Sequence, residues 1–370
     1  MRFSVDQGAL VRELSLVQGI VEKKTTMPIL ANVALTTTED GQLTMIATDL
    51  EVGLRTVTQA SVEVAGRIAL HARRLHDIVR RLPSGTVQFS LEGTSMHIRC
   101  GSIRYRLAAQ DPEQFPALRS HEGNPNATMA AEHLADAVRR VIFAVNVEDP
   151  RYTLGGALWE LGEGDLTMVA TDGHRLAISS RPAQKVGAGF PELLVPRKAL
   201  FEIGKLAGEQ DGDVYLWASP AGLIAVIGQR EISTSLQEQR FPDYRRVVPK
   251  GNDKVFEVDT DALGDAIERV AVLSNEDTRL IRFDLSEGQL KVSSSNEKLG
   301  DAQEDLSITY DGKPVSIGFN AQYLADFLGA TATDRVRLSL GEPMGQALLE
   351  PVRPGGDARQ DRYIVMPMAL

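Results

Sequence analysis

The sequence predicts an α+β protein built from three copies of one unit. Three observations carry the prediction. A set of landmarks recurs at near-constant spacing, each copy changes from a helical period to strand alternation, and the chain has 370 residues. At about 150 residues per domain, that length leaves room for two or three. FSVDQGAL (3–10) is echoed by FEVDTDAL (256–263), with a weaker copy, ATMAAEHL (127–134), between them. Each opens a helical pattern, Leu10/Leu14/Val17, Leu134/Val138/Val141 and Leu263/Ile267/Val270, whose spacing of 3 or 4 sets one apolar face. LTMIATDLEVGL (43–54), LTMVATDGHRLA (166–177) and LKVSSSNEKLGD (290–301) follow at offsets of 123 and 124. Second helices centre on Leu75, Leu200 and Leu324, and each copy closes on a residue–proline pair: Phe115-Pro116, Phe241-Pro242 and Met366-Pro367.

In the first copy the helices are expected at 7–22 and 72–82, and the strands at 43–48, 52–59, 66–71, 86–91, 95–100 and 103–109. The alternation in VQFSLEG (87–93) and MHIRCG (96–101) is that of half-buried strands. Strands this short need cover, so both helices should lie on one side of the sheets. The polar segments RSHEGNPNA (119–127) and PKGND (249–253) read as linkers. The expected domains are therefore 1–122, 123–251 and 252–370.

Composition excludes several classes. Hydrophobic residues at 43% and charged residues at 24% are globular values, which removes disordered and collagen-like chains. The single cysteine, Cys100, excludes an intrachain disulfide and a cysteine-built zinc site, and fits a reducing cytoplasm. No apolar run approaches the roughly 18 residues of a membrane span, and the N-terminus lacks the basic and apolar regions of a signal peptide. A soluble cytoplasmic protein is expected, with no membrane partner and no cofactor.

With 40 Lys+Arg against 50 Asp+Glu, the net charge of −10 argues against coating nucleic acid by bulk positive charge. Placement says something different. Arg73, Arg74, Arg80 and Arg81 share the helix whose apolar face is Leu75, Ile78, Val79 and Leu82. Arg197, Lys198 and Lys205 sit on the matching helix of the second copy. Arg139 and Arg140 lie on its first helix, and Lys23 and Lys24 follow the first helix of the chain. Repeats around a common axis would turn these into a basic lining that touches phosphates without reading sequence. The alternative is a solvated helix face.

The motifs TMPIL (26–30), ATDLE (47–51), ATDGHRLA (170–177), VPRKAL (195–200), RFPDYRRVVP (240–249), LSNE (273–276) and YIVMPM (363–368) make the chain resemble the bacterial sliding clamps, the beta subunits of DNA polymerase III, over its full length. The resemblance implies three clamp domains per chain, with helices on the inner side and antiparallel sheets outside. It implies a head-to-tail homodimer ring of six domains around double-stranded DNA, Arg151 joining the basic residues above on its inner side. It also implies no catalysis, and as partners the DNA polymerase III catalytic subunit, an ATP-dependent clamp loader, translesion and repair polymerases and mismatch-repair proteins, held through short linear peptides.

Carried over by motif, the peptide site would be Leu154, Thr171, Gly173, His174, Arg175, Leu176, Pro242, Arg246, Val247, Ile364, Val365, Met366, Pro367 and Met368. An apolar floor beside adaptable methionines suits a groove serving many partners, and Arg175 and Arg246 are expected to hold the peptide's polar ends. The chain ends Met368-Ala369-Leu370, where the family usually has an arginine before the last leucine.

For the ring joint, the first copy offers Arg104, Tyr105, Arg106 and Leu107. The third offers Glu297, Asp301, Glu304 and Asp305, with Val272 and Leu273 nearby. Such a joint is heterologous and closes if the rotation suits. Two alternatives stand beside this: a peptide-binding scaffold that never encircles DNA, and a three-repeat enzyme with its site near Asp172 and His174. HExxH, GxSxG and P-loop motifs are absent, and His71 and His76, five apart, fall on different helical faces.

Overall fold

The computed structural model describes residues 1–22, 26–145, 154–187, 189–355 and 359–370. Among these residues there are six α-helices, two per repeat: α1 (Gln7–Ile20), α2 (Ala72–Val79), α3 (Ala131–Val141), α4 (Arg197–Gly208), α5 (Thr260–Ala271) and α6 (Ala321–Ala330). The recurring F-x-V-D lead-in has a physical role. Phe3 and Phe256 are core residues, while Asp6 and Asp259 cap α1 and α5 by accepting from the N–H groups of Ala9 and Ala262, each at 2.9 Å. The 72–82 helix is shorter than expected. Past Val79, Arg81 and Leu82 donate to the carbonyls of Ile78 and Val79, a tightened last turn ahead of Pro83.

The chain divides into two compact units. The first comprises Met1–Glu132, Lys185–Pro191 and Phe201–Leu236, and the second His133–Gln184, Glu192–Leu200 and Gln237–Leu370. All strand pairings are antiparallel among the described residues. In the first unit the strands run in the order Ala127–Ala130, Asp213–Ser219, Gly222–Ile227, Arg230–Thr234, Val52–Gln59, Gln42–Thr48, Asn32–Thr38, Gly66–His71, Ile103–Gln110, Ser95–Cys100, Thr86–Glu92, Arg2–Asp6 and Ser61–Val64. Its core includes the stacked rings of Phe3 and Phe89, with centroids 4.7 Å apart.

In the second unit one sheet runs Leu193–Pro196, Gly156–Leu161, Asp165–Thr171, Arg175–Pro182, Gln360–Val365, Ala347–Pro351, Arg335–Leu340 and Lys254–Asp259. A second sheet runs Gly300–Ser307, Gln289–Asn296, Leu280–Ser286 and Val315–Asn320. The sequence repeats therefore join by strand pairing. Arg230–Thr234 of the second repeat pairs with Val52–Gln59 of the first, and Gln360–Val365 of the third pairs with Arg175–Pro182 of the second. Because both halves of the middle repeat continue a neighbour's sheet, compactness divides the chain inside that repeat.

Among the strands with an open edge, two stand in the first and third repeats at places that match those joining strands. Ile103–Gln110 pairs along its length with Ser95–Cys100, but on its other side pairs only at Ala109 and Gln110. Gly300–Ser307 is the outer strand of the four-stranded sheet. One lies in the first repeat and the other in the third.

Candidate functional site

The segment Thr171–Arg175 is a turn organised by its own side chains. Thr171 Oγ1 donates to the Arg175 carbonyl at 2.6 Å and accepts from Gly173 N–H. Asp172 Oδ1 accepts from the backbone N–H groups of His174 and Arg175, both at 3.0 Å. Gly173 takes φ +91°, and a Cβ built on it would meet nothing within 4 Å, so glycine serves the backbone here and leaves open space beside it.

Arg175 reaches inward from this turn. Its Nε donates to Asp172 Oδ2 (3.0 Å), Nη1 to Asp326 Oδ2 (2.6 Å) and Nη2 to the Phe143 carbonyl (2.7 Å), with the guanidinium 4.4 Å from the centre of the Tyr323 ring. Three of its five N–H groups are committed within the protein, against the expectation that the whole guanidinium is free to hold a peptide's polar end. Arg175 instead locks the turn to α6. Asp172, with its oxygens bonded to backbone N–H groups and to Arg175, does not orient the His174 ring, so the pair lacks the geometry of a general base and its orienting acid.

Beside the turn lies a cleft of about 190 Å³ lined by Leu154, Thr171, Gly173, His174, Arg175, Leu176, Pro242, Asp243, Tyr244, Val247, Gln346, Ile364 and Met366. Its floor is the buried cluster of Leu158, Val169, Leu176, Ile178, Tyr244 and Ile364, against which Phe241, Val248 and Leu348 pack. Tyr244 is held in that floor by donating to Glu160 at 2.6 Å, while Arg245 binds the same carboxylate at 2.8 Å and covers the ring at 4.6 Å. Burial and the hydrogen bond to Glu160 both push the Tyr244 phenol above its ordinary range, so it stays neutral. Val247 and Met366 stand half-exposed at the rim, and Met366 N–H donates to the His174 carbonyl at 2.9 Å. The cleft is thus apolar below and mobile-chained above, suited to a few hydrophobic anchors of an extended peptide.

Four residues expected in this site do not line the cleft. Val365 is fully buried, because it alternates with Ile364 along one strand and points to the opposite face. Met368 N–H bonds to the Gly318 carbonyl at 2.8 Å, which carries Pro367 and Met368 onto the neighbouring sheet. Arg246 is 84% exposed and pairs with Asp243 at 2.9 Å, next to the cleft but outside its lining. The sequence reading missed Asp243 and Tyr244, although both lie within FPDYRR, and Gln346, for which the sequence carried no signal.

Among the basic residues, Arg74, Arg80, Arg81, Arg139 and Arg197 are exposed, and Arg73 and Lys198 are half-buried. Lys23, Lys24 and Arg151 lie outside the described residues. Arg140 is a correction. Only 6% exposed, it pairs with Asp136 at 3.3 Å and Asp361 at 3.6 Å and is not available to a phosphate. It belongs to a buried network in which Arg181, with no exposed side-chain surface, binds Asp136 at 2.7 Å and Asp361 at 2.9 Å. Asp361→Ala is expected to destabilise the protein by about 3–5 kcal/mol, because it leaves Arg181 buried beside one carboxylate instead of two. Chemical denaturation measures this. Burial alone would raise the Asp136 pKa, but the Arg181 and Arg140 guanidiniums outweigh it and hold the carboxyl well below the usual range. A depressed carboxyl stabilises above its unfolded pKa of about 4, so this contribution is complete at neutral pH and is lost progressively in acid.

At the open edges, Arg104, Tyr105 and Arg106 are exposed and Leu107 half-buried, while Asp301 and Asp305 are exposed on the other edge. Glu297 is exposed in the adjoining turn. Val272 is 74% exposed just past α5, with Leu273 half-buried beside it. Glu304 is not free: Arg269 Nε and Nη2 grip it at 2.8 Å each.

Comparison with known proteins follows the three repeats. Family models for the N-terminal, central and C-terminal domains of the DNA polymerase III beta subunit match residues 1–119, 128–243 and 245–369. The chain is 37% identical to the beta sliding clamp of Pseudomonas aeruginosa and 34% identical to that of Escherichia coli, in each case covering all of both chains. Among solved structures, a P. aeruginosa sliding clamp bound to griselimycin superposes with a TM-score of 0.94 at 36% identity, again over all of both chains. A Caulobacter crescentus clamp gives 0.88 at 31%.

Proposed function

Since the chain belongs to the DNA polymerase III beta-subunit family, the bacterial sliding clamps, we propose that two copies close head to tail into a ring that encircles duplex DNA and tethers polymerases through the cleft at Thr171–Leu176. Sliding-clamp function for DNA polymerase III is what the family performs, and the protein is an accessory subunit and not an enzyme. The domains are taken as 1–122, 123–251 and 252–370, a division that the three matched family models support. No helix among the described residues is long and apolar enough to cross a membrane.

The observation that carries the reading is the pair of open edges. Within the chain, each repeat joins the next by an antiparallel strand pair, and these two open edges are the equivalents of those strands. Register follows from the hairpins. Thr48 pairs with Gly53, Thr171 with Leu176 and Ser295 with Asp301, so Asp301 stands where Gly53 and Leu176 stand. The tight turns 101–102 and 228–229, each with a left-handed glycine, place Ile103 where Arg230 stands. Arg230 pairs with Thr56, three residues beyond Gly53, so one protomer's Ile103 should oppose the partner's Glu304.

That register puts Arg106 opposite Asp301 and Arg104 between Asp301 and Asp305 on one face. Ile103, Tyr105 and Leu107 fall on the other, toward Val272. Opposite charges outside and apolar residues inside are what a strand pair across two chains requires. For the cleft, the support is its apolar floor with half-exposed Val247 and Met366 above it, and the occupants proposed are linear peptides of the polymerase, the clamp loader and repair proteins. Lining of the ring by Arg73, Arg80, Arg81, Arg139, Arg197 and Lys198, with Lys23, Lys24 and Arg151, is proposed on charge alone. The test of the whole reading is topological: retention on closed circular against linearised DNA.

A further inference from the structure

The turn that borders the cleft has a twin in the first repeat. Thr48 Oγ1 donates to the Val52 carbonyl at 3.0 Å, and Asp49 Oδ1 accepts from the N–H groups of Glu51 (2.9 Å) and Val52 (2.7 Å), as Thr171 and Asp172 do in theirs. Leu50 stands at φ +80° where Gly173 takes +91°. The next backbone contact is shared as well. Ser235 N–H donates to the Glu51 carbonyl, and Met366 N–H to that of His174, both at 2.9 Å. The first junction, where Arg230–Thr234 pairs with Val52–Gln59, therefore has a counterpart for the walls of the cleft. Gly53 stands for Leu176, Ser233 for Ile364, Ser235 for Met366 and Gly222 for Gln346.

These wall positions are glycine or serine here, and the chain fills the space itself. Phe115-Pro116-Ala117-Leu118-Arg119 repeats the place of Phe241-Pro242-Asp243-Tyr244-Arg245. Leu118 lies so close to Gly53 that a Cβ built there would be 2.5 Å from Leu118 Cδ2 and 2.9 Å from Ser233 Oγ. Arg119 crosses the other two positions. Its Cδ would be 3.3 Å from a Cβ built on Gly222, and its Nη2 donates to Ser235 Oγ at 3.1 Å. Buried Phe115 anchors one end of the segment. At the other, the His121 ring stacks on Trp217 at 3.9 Å and Trp217 Nε1 donates to the Gly123 carbonyl at 3.2 Å.

We infer that the first junction holds a second peptide cleft, occupied by Leu118 and Arg119 of the chain itself, and that this occupant limits partner peptides to one site per chain. The inference rests on the cleft reading above. A tethered occupant is present at an effective concentration of about millimolar or more, so a free peptide at about micromolar concentration does not displace it. Removing it leaves a leucine-shaped vacancy over Gly53 and Ser233 and frees the Ser235 hydroxyl. That vacancy suits a leucine anchor of the same extended peptides.

Leu118→Ala with Arg119→Ala empties the place in the full-length protein, and titration calorimetry with a polymerase-derived peptide counts the sites. Wild type should bind one peptide per chain and the double variant two, the second at least about 10-fold more weakly because its walls are small. Ser235→Cys reads the place directly, since the chain's own thiol, Cys100, is buried. Maleimide should label it at least about 10-fold faster beside Leu118→Ala and Arg119→Ala than beside the native pair, and saturating peptide should slow it again. A thermal melt checks the double variant. Arg119→Ala alone, a change at an exposed side chain, should give part of that acceleration and carries the test if the double variant unfolds. One peptide per chain on a folded double variant, or labelling that neither variant accelerates, overturns the inference. Absence of peptide binding by wild type overturns the cleft reading instead, so the two failures are distinguishable.

Discussion

Replacing Val272 by glutamate is expected to leave a folded chain that no longer dimerises, with the dissociation constant raised about a thousandfold. The size follows from position and symmetry. Val272 occupies the place, two residues past the last apolar helix position, that Phe143 occupies in the second repeat. Phe143 meets the Tyr363 ring at 5.7 Å across the internal junction. Tyr363 opposes Ala177, as the partner's Tyr105 should oppose Ala302, so Val272 should pack on that tyrosine.

Burying one valine contributes about 2 kcal/mol, and a symmetric ring has two joints, so the loss is about 4 kcal/mol before the cost of desolvating glutamate. Folding should be untouched, because Val272 is 74% exposed in the single chain and supports no core. Sedimentation velocity with a thermal melt reads both quantities. An unchanged dimer would place the joint elsewhere on the molecule.

The second large effect belongs to the cleft. His174→Ala combined with Met366→Ala is expected to weaken binding of a polymerase-derived peptide about 10- to 30-fold, from roughly 1 kcal/mol per truncated contact. The dimer and its melting temperature should not change. Both side chains stand at the rim, exposed, and neither is among the fixed groups of the turn: His174 contributes its backbone N–H and carbonyl there, and alanine keeps both. Arg175 would be an uninformative choice. It bonds Asp172, Asp326 and the Phe143 carbonyl, so removing it disturbs the turn itself, and lost affinity would say nothing about ligand contact. Titration calorimetry on the intact dimer measures the effect, and equal affinity for variant and wild type would remove this cleft as the peptide site.

The repeat organisation was legible because each element announces itself locally. Alternation in 43–48 and 52–59 and the apolar spacing after Leu10 and Leu263 correspond to observed strands and helices within two residues. What escaped the sequence depends on partners distant along the chain. Arg140 stands next to exposed Arg139 on a short helix, and the pattern gives no reason to treat them differently. Only Asp361 and Arg181, brought in by strand pairing, make one of them a core residue.

Val365 was a legible miss, since strand alternation already forbids Ile364 and Val365 from facing one cleft. The commitment of Arg175 to Asp326 and of Glu304 to Arg269 had no sequence signal. Register at the open edge was hidden as well. Along the sequence Asp301 falls with Leu54 and Ala177, but the ladder pairs it with Ser295, one place earlier, because the third hairpin turn holds an extra residue. That one-place shift decides which face carries the acids. The net charge of −10 misled in a simpler way, since a protein that holds DNA by topology needs positive charge only where the duplex passes.

Encirclement is tested most directly by loading the labelled protein onto closed circular DNA, removing free protein, and cutting the circle once. The ring account predicts stable retention on the intact circle and rapid loss from the linear ends, with retention restored when the ends are blocked by bound protein. Equal retention on circular and linear DNA would mean that the protein grips by contact, and would contradict the account at its centre.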